Sequence, residues 1–383
     1  MLEGLKVLDF SQNLPGPYAT FLLSSWGADV VKVEPPKGDP ARFIQPFFSM
    51  VNRGKRSVVL DLRDPASRPA LEALVRDADV LVDGFRPGVM KRLGCDWEVA
   101  HALNPRLIYC SISAFGQTGP LREHPGHDLN LQALAGVCHL ERDAGGTPRG
   151  TMLPIADLST SLIAVSSITA ALNARQRTGE GQYLDVAMAD AVVSWSNLWG
   201  LGVDFGAATD KELSKKGAVA KRLARPVVER LARLKLYAMP QYQVYRCKGD
   251  GHLSLGIVDE RHFWKAFCEV AELGPMARIP MQGLILAGPA IRPVIARRMR
   301  GRTADEWTKL LREAGVPAWP VRSPEEALHE PQVKARGFVD ERGWVRAPLP
   351  GATHLEGKAP ARGEHTASVL AELGVEPLAG PRA

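Results

Sequence analysis

Short apolar runs alternating with helical stretches constrain this chain more than any other feature. Leu5-Lys6-Val7-Leu8-Asp9-Phe10 is a buried-type strand, and the prolines and glycine of S-Q-N-L-P-G-P force a turn after it. Tyr18 to Trp26 follows as a helix closed by Gly27, and A-D-V-V-K-V-E is a second strand ending at Glu34. This unit has the length and order of a right-handed βαβ crossover. The pattern recurs: strands at Ser57–Asp61, Val80–Val82 and Leu107–Ile112, helices at Ser67–Asp77 and Val89–Leu93. Alternating β and α with short apolar strands predicts an α/β fold, a doubly wound parallel sheet. In such a sheet ligands sit beyond the carboxyl ends of the strands. The loops 11–17, 35–42, 84–87 and 114–120 should therefore face one cleft.

After the strand Gln182 to Val186 the character changes. Residues 195–240 lack strand alternation and carry a basic run from Lys211 to Lys235, which predicts a connecting arm. Tyr242–Arg246 and His252–Gly256 form a hairpin pattern across C-K-G-D-G, with a helix from about Asp259 to Ala271 and further helices to Ala314. The domains expected are a large one at 1–194, the arm at 195–240, a smaller α+β domain at 241–316, and a return to the large one over 317–383.

Composition narrows the function. A net charge of +6 with basic clusters interleaved by Leu, Val and Ala, but no stacking motif or zinc spacing, argues against nucleic acid and suits a polyphosphate ligand. No G-x-G-x-x-G or G-x-x-x-x-G-K-[ST] is present, against a redox dinucleotide or P-loop site. Cys95, Cys110, Cys138, Cys247 and Cys268 are scattered and odd in number, which argues against disulfides and zinc and for a reducing compartment. The N-terminus enters a strand directly, without a signal peptide, and the apolar helix around Leu162 to Leu172 reads as too short and serine-rich to span a bilayer. A soluble, cytoplasmic protein without membrane contact is expected.

The chemistry concentrates between Gly126 and Asp157. G-H-D-L-N-L puts His127 beside Asp128, and M-L-P-I-A-D-L-S-T-S brings Asp157 to the start of a second helix. Two ionisable groups of different type at helix mouths are what proton transfer at carbon needs. The same residues also serve as plain helix caps, with Asp157 capping its own helix and Asp128 capping the other.

Ten stretches, in order and nearly end to end, resemble one family, the family III CoA-transferases, which includes the α-methylacyl-CoA racemases. They include L-E-G-L-K-V-L-D-F…P-G-P, G-A-D-V-V-K-V-E-P-P, N-R-G-K-R-S-V-V-L-D-L, A-D-V-L-V-D-G-F-R-P-G and N-P-R-L-I-Y-C-S-I-S-A-F-G-Q-T-G-P. G-H-D-L-N, R-T-G-E-G-Q-Y-L-D-V-A-M-A-D-A, E-R-H-F-W, G-V-P-A-W-P-V and G-E-H-T complete the set. The resemblance implies a Rossmann-like CoA-binding large domain, an inserted small domain and an interlocked homodimer.

It also implies roles. Asp157 matches the family's catalytic aspartate, the nucleophile of the transferases and an acid/base of the racemases. His127 matches the racemase histidine, and a small-domain glutamate that orients it falls on Glu260 when anchored on F-W, or on Asp259 when counted from Gly256. Coenzyme A, as part of the substrate, would be held by Lys37, Arg42, Arg86 and Arg92 at the strand-end loops. No metal or separate cofactor is implied. The chain departs from the family at Pro35, where an adenine-stacking arginine is expected, and at Ser159-Thr160-Ser161, where the racemases have a glycine-rich turn. The His–Asp pair places α-methylacyl-CoA racemisation first. CoA transfer through an aspartyl thioester is the alternative, with an inactive CoA-binding protein or a lyase behind both.

Overall fold

The computed structural model describes residues 1–140, 146–200 and 239–376. The chain divides into two compact units, Met1–Trp199 with the segment returning at Gln332, and Gly200–Pro331.

In the first unit, six strands form one sheet: β1 (Lys6–Asp9), β2 (Asp29–Glu34), β3 (Arg56–Val59), β4 (Val80–Asp83), β5 (Ile108–Ser113) and β6 (Gln182–Ala187). All are parallel, in the order β3-β2-β1-β4-β5-β6, with Val7 beside both Val30 and Val80. The strand order reverses between β1 and β4, where a doubly wound sheet opens its ligand crevice. The connecting helices are α1 (Pro15–Ser25), α2 (Gln45–Asn52), α3 (Arg68–Asp77), α4 (Val89–Arg92), α5 (Trp97–Leu103), α6 (Asp128–Leu134), α7 (Val137–Leu140), α8 (Ile155–Thr178) and α9 (Met188–Gly200).

Alternate strand residues feed two cores. Val7, Val80 and Ile108 pack with Leu22 of α1 and Ile168 of α8. Leu8, Leu81 and Tyr109 pack with Leu71 and Leu74 of α3 on the other face. Full burial of each such side chain contributes about 1.5–3 kcal/mol. The returning chain joins the second core through Val369 and Leu370 of the helix Thr366–Glu372. It is pinned to β3 by Gly363 N–H on Ser57 Oγ at 2.8 Å and by Val59 N–H on Thr366 Oγ1 at 3.0 Å.

Helix α8 corrects one expectation. It runs 24 residues and is long and apolar enough, by length and composition, to cross a membrane. Here it is a core helix: Ala156, Thr160, Ala164, Ile168 and Ala171 are buried.

The second unit holds an antiparallel sheet of β7 (Tyr242–Arg246), β8 (His252–Gly256) and β9 (Ala318–Pro320). The hairpin is the expected one, with Gly249 at φ +74° in its turn. Helices Arg261–Val270, Met281–Met299 and Ala304–Glu313 enclose Trp264 and Trp307, whose indole N–H groups reach Met276 and Met299 carbonyls at 3.0 and 2.8 Å. The return expected at residue 317 comes later, because β9 pairs with β8, Leu255 opposite Ala318. Most of the expected arm lies outside the described residues; Trp195 belongs to α9.

Candidate active site

The G-H-D segment is placed by close approach. Gly126 lies so near the loop after β5 that a Cβ would stand 3.0 Å from Ala114 Cβ and 3.1 Å from the Phe115 ring. His127 then occupies the position before α6, with its N–H donating to Asn130 Oδ1 at 3.1 Å and its imidazole exposed.

Asp128 opens α6 but acts on α8. Its Oδ1 accepts the N–H groups of Ala156 at 2.7 Å and Asp157 at 3.2 Å. Its Oδ2 accepts from Gln132 Nε2, and the buried Gln132 in turn accepts the Thr151 N–H at 2.8 Å. The residue before α8 is Pro154, which offers no side-chain cap. A carboxylate from another helix therefore satisfies orphan donors that a helix ordinarily leaves to its own N-cap.

This frees Asp157. Among the described residues its half-buried carboxylate accepts no hydrogen bond and pairs with no cation. A helix N-terminus favours the ionised form. Burial, and then the negative charge of Asp128, outweigh that and push the carboxyl up to about 7. The hydroxyls that follow are committed to backbone: Ser159 and Thr160 donate to Ala156 O at 3.1 and 2.6 Å, and Ser161 to Asp157 O at 2.9 Å. Ser161 also donates to Pro15 O at 2.7 Å, which holds the head of α8 against the first turn of α1. The loop after β1 returns so closely onto the first turn of α1 that a Cβ on Gly16 would overlap Ser11 Cβ at 2.1 Å.

Of the expected CoA contacts, Lys37, Arg86 and Arg92 lie exposed after β2 and β4. Arg42 is otherwise engaged. Its guanidinium grips Glu34 through Nε at 2.7 Å and Nη2 at 2.6 Å, and donates to Pro360 O at 3.2 Å. It serves as a clasp for the loop after β2, so its fork is not open to a phosphate.

A buried charge network beneath the two loops was not foreseen. Lys55 Nζ meets Asp9 Oδ2 at 2.9 Å and Lys32 Nζ meets Asp39 Oδ2 at 2.9 Å, all four fully buried. Burial pushes the Lys55 amine down to about 8. Burial also opposes the charge of Asp9, but Lys55 and Lys32 win and hold it well below the usual carboxylate range. Lys32 donates to Ser11 O at 2.8 Å, and Asp39 Oδ1 accepts from Asn13 at 3.3 Å and Ala41 at 2.9 Å, so the loops after β1 and β2 share one anchor. The signal available in the sequence was a lysine inside the apolar run V-V-K-V.

Glu260, expected to orient His127, lies in the second unit just before the helix Arg261–Val270. Its carboxylate accepts the N–H groups of Val258 at 2.9 Å and Asp259 at 3.2 Å, and its own backbone N–H first, then these two, hold it below the usual carboxylate range.

The model of CoA-transferase family III matches residues 2–366. The chain belongs to CoA-transferase family III. It is an enzyme of the transferase class. Among similar family III enzymes, the acetyl-CoA:oxalate CoA-transferase of Acetobacter aceti is 34% identical over 90% of this chain and 87% of its own. The succinate–glutarate CoA-transferase of Agrobacterium fabrum is 32% identical over 97% and 95%. The succinyl-CoA:mesaconate CoA-transferase of Haloarcula hispanica is 34% identical over 98% and 96%. The crystal structure of a CAIB/BAIF family protein from Brucella suis aligns with TM-score 0.78 at 30% identity, over 97% of this chain and 99% of that one. These relatives back CoA transfer, the alternative in the sequence, better than the racemisation placed first there.

Proposed function

We propose that this enzyme transfers CoA between an acyl-CoA thioester and a carboxylic acid, with Asp157 as the nucleophile. The observation that carries this is a carboxylate at the head of a capped helix with no structural duty and raised basicity. A desolvated carboxylate of higher pKa is a stronger nucleophile at neutral pH.

The steps balance without water. Asp157 attacks the thioester carbonyl and expels CoA thiolate, leaving an acyl–aspartyl anhydride. The thiolate attacks the aspartyl carbonyl, releasing the first acid and leaving aspartyl-CoA. The acceptor carboxylate repeats the two steps in reverse, forming the new thioester and restoring Asp157. Lys37, Arg86 and Arg92 would hold the phosphates of CoA.

The relatives act on oxalate, succinate, glutarate and mesaconate by their names, which supports a dicarboxylic acid as one partner here. An interlocked homodimer, implied by the family resemblance, fits the exposed apolar side chains Leu129, Leu134, Met152, Leu153 and Leu198 beside the site. Racemisation stays as a second reading, on one observation: His127 directly precedes the carboxylate that binds the Asp157 amide.

The test incubates the enzyme in D₂O with a panel of acyl-CoA thioesters, including 2-methylacyl ones, with and without free dicarboxylic acids. New thioesters that require the acid and vanish in Asp157→Ala support transfer. Deuterium at Cα without any acid, lost in His127→Ala, supports racemisation instead.

A further inference from the structure

The polar cluster under the carboxyl ends of β4, β5 and β6 has no part in the steps above. Asp83 closes β4, pairs in register with Ser111 and is 2% exposed. Its Oδ1 accepts the Phe85 N–H at 2.9 Å, so the last side chain of the strand sets the first turn of the loop that carries Arg86. Ser111 faces the same carboxylate and accepts from Gln117 Nε2 at 3.0 Å. The Gln117 N–H donates to Asp185 Oδ2 at 3.0 Å, across a turn in which Gly116 takes φ +81°. The loops 84–87 and 114–120 thus hang on one set of side chains. The second loop begins with Ala114 and Phe115, the two residues Gly126 packs upon before His127 and Asp128.

We propose that Asp83 is a positioning residue: with Ser111, Gln117 and Asp185 it holds the Arg86 loop in the conformation that receives acyl-CoA and ties it to the G-H-D segment. This rests on the transfer function and on Arg86 as a phosphate contact. The buried carboxylate gathers the Phe85 N–H and the Ser111 and Tyr109 hydroxyls at one point, against a desolvation that opposes its charge. Burial pushes Asp83 up to about 6. Above that value the carboxylate is acceptor-only and takes the Phe85 N–H fully; below it, one oxygen carries a proton. The groups facing it are Tyr109, Cys110 and Ser111 of β5, Tyr183 of β6, and Cys95. Burial pushes both tyrosines and both thiols upward, so they stay neutral while Asp83 titrates. The loop should therefore hold acyl-CoA more weakly as pH falls through about 6.

The test measures kcat, KM for acyl-CoA and direct CoA binding between pH 5 and 8. The variants are Asp83→Ala, Asp83→Asn, Arg86→Ala and the Asp83→Ala/Arg86→Ala double, with Asp157→Ala as the chemistry control. Asp83→Ala should raise KM and Kd about tenfold, the size of one lost buried hydrogen bond, with kcat within about threefold. Asp83→Asn mimics the protonated carboxyl, so at every pH it should bind acyl-CoA about as weakly as wild type does below pH 6, without the inflection near pH 6. The double variant should bind no more weakly than Arg86→Ala alone. Additive losses, an unchanged KM with a fallen kcat, or a wild-type inflection that persists in Asp83→Asn would overturn the proposal. If Asp83→Ala does not fold, the Asn variant and its pH profile decide alone. Failure of wild-type enzyme to bind CoA at all would instead strike the transfer function.

Discussion

Asp128 caps the helix that carries Asp157: one carboxylate oxygen accepts the Ala156 and Asp157 N–H groups at 2.7 and 3.2 Å. The same contact that orders the head of α8 brings a negative charge beside the Asp157 carboxylate and raises its pKa. Structure and reactivity are thus joined at one side chain, and two substitutions separate them. Asp128→Ala removes cap and charge and should cost about 1–2 kcal/mol of stability. Asp128→Asn keeps an acceptor for the cap but removes the charge, so denaturant midpoints should stay near wild type while the pH–rate profile moves to lower pH.

Asp157 titrating at about 7 gives the profile its shape. A nucleophile must be ionised, so kcat/KM for transfer should rise with pH through about 7 and then level. A bell-shaped profile that needs a protonated Asp157 would favour acid/base chemistry at Cα.

The same shift has a signed effect on stability. Folded Asp157 holds its proton up to about 7, whereas the unfolded chain releases it near the ordinary aspartate value of 3.8. Between these values the native state binds more protons, so the contribution of Asp157 to stability is present below the lower value and lost as pH rises through the upper one. Asp157→Asn has no such loss. Its melting temperature should exceed that of wild type above pH 7 and converge with it near pH 4.

The basic residues divide into two kinds. Arg42 clasps Glu34, so Arg42→Ala should lower stability, with weaker CoA binding only as a consequence of a loosened loop. Arg86→Ala and Arg92→Ala, both exposed, should leave melting unchanged and weaken CoA binding in a salt-dependent manner. Calorimetry at low and high salt, beside thermal melts, checks both halves.

Lys55→Met leaves Asp9 buried without its nearest ammonium. Breaking one side of a buried pair costs about 3–5 kcal/mol, which a denaturant titration would read directly. Because the network also anchors the loops after β1 and β2, residual folded protein should bind CoA poorly.

Much of the first unit was legible because parallel strands buried on both faces read as apolar runs, as V-L-V at Val80 and I-Y-C at Ile108 show. Other features were not legible, for physical reasons. The length of α8 was hidden by serines and threonines that look like helix breakers but bond back to the preceding turn, as Thr160 does to Ala156. The placement of β9 depended on pairing across more than sixty residues, Ser254 with Trp319, which no local pattern encodes. The division of labour between Asp128 and Asp157 was open because either aspartate could cap a helix, and only the bond across two helices decides which one does. Arg42 misled for a similar reason: a basic residue in a strand-end loop looks available until its carboxylate partner is seen.

The most direct measurement follows oxygen. Turnover with an acyl-CoA donor and an ¹⁸O-labelled dicarboxylic acid should leave ¹⁸O in the tryptic peptide Gly150–Arg175, whose one acidic side chain is Asp157. That label is expected together with the new thioester, and neither is expected when the acid is omitted. New thioester without label in Asp157, or deuterium exchange at Cα with no need for an acid, would contradict it.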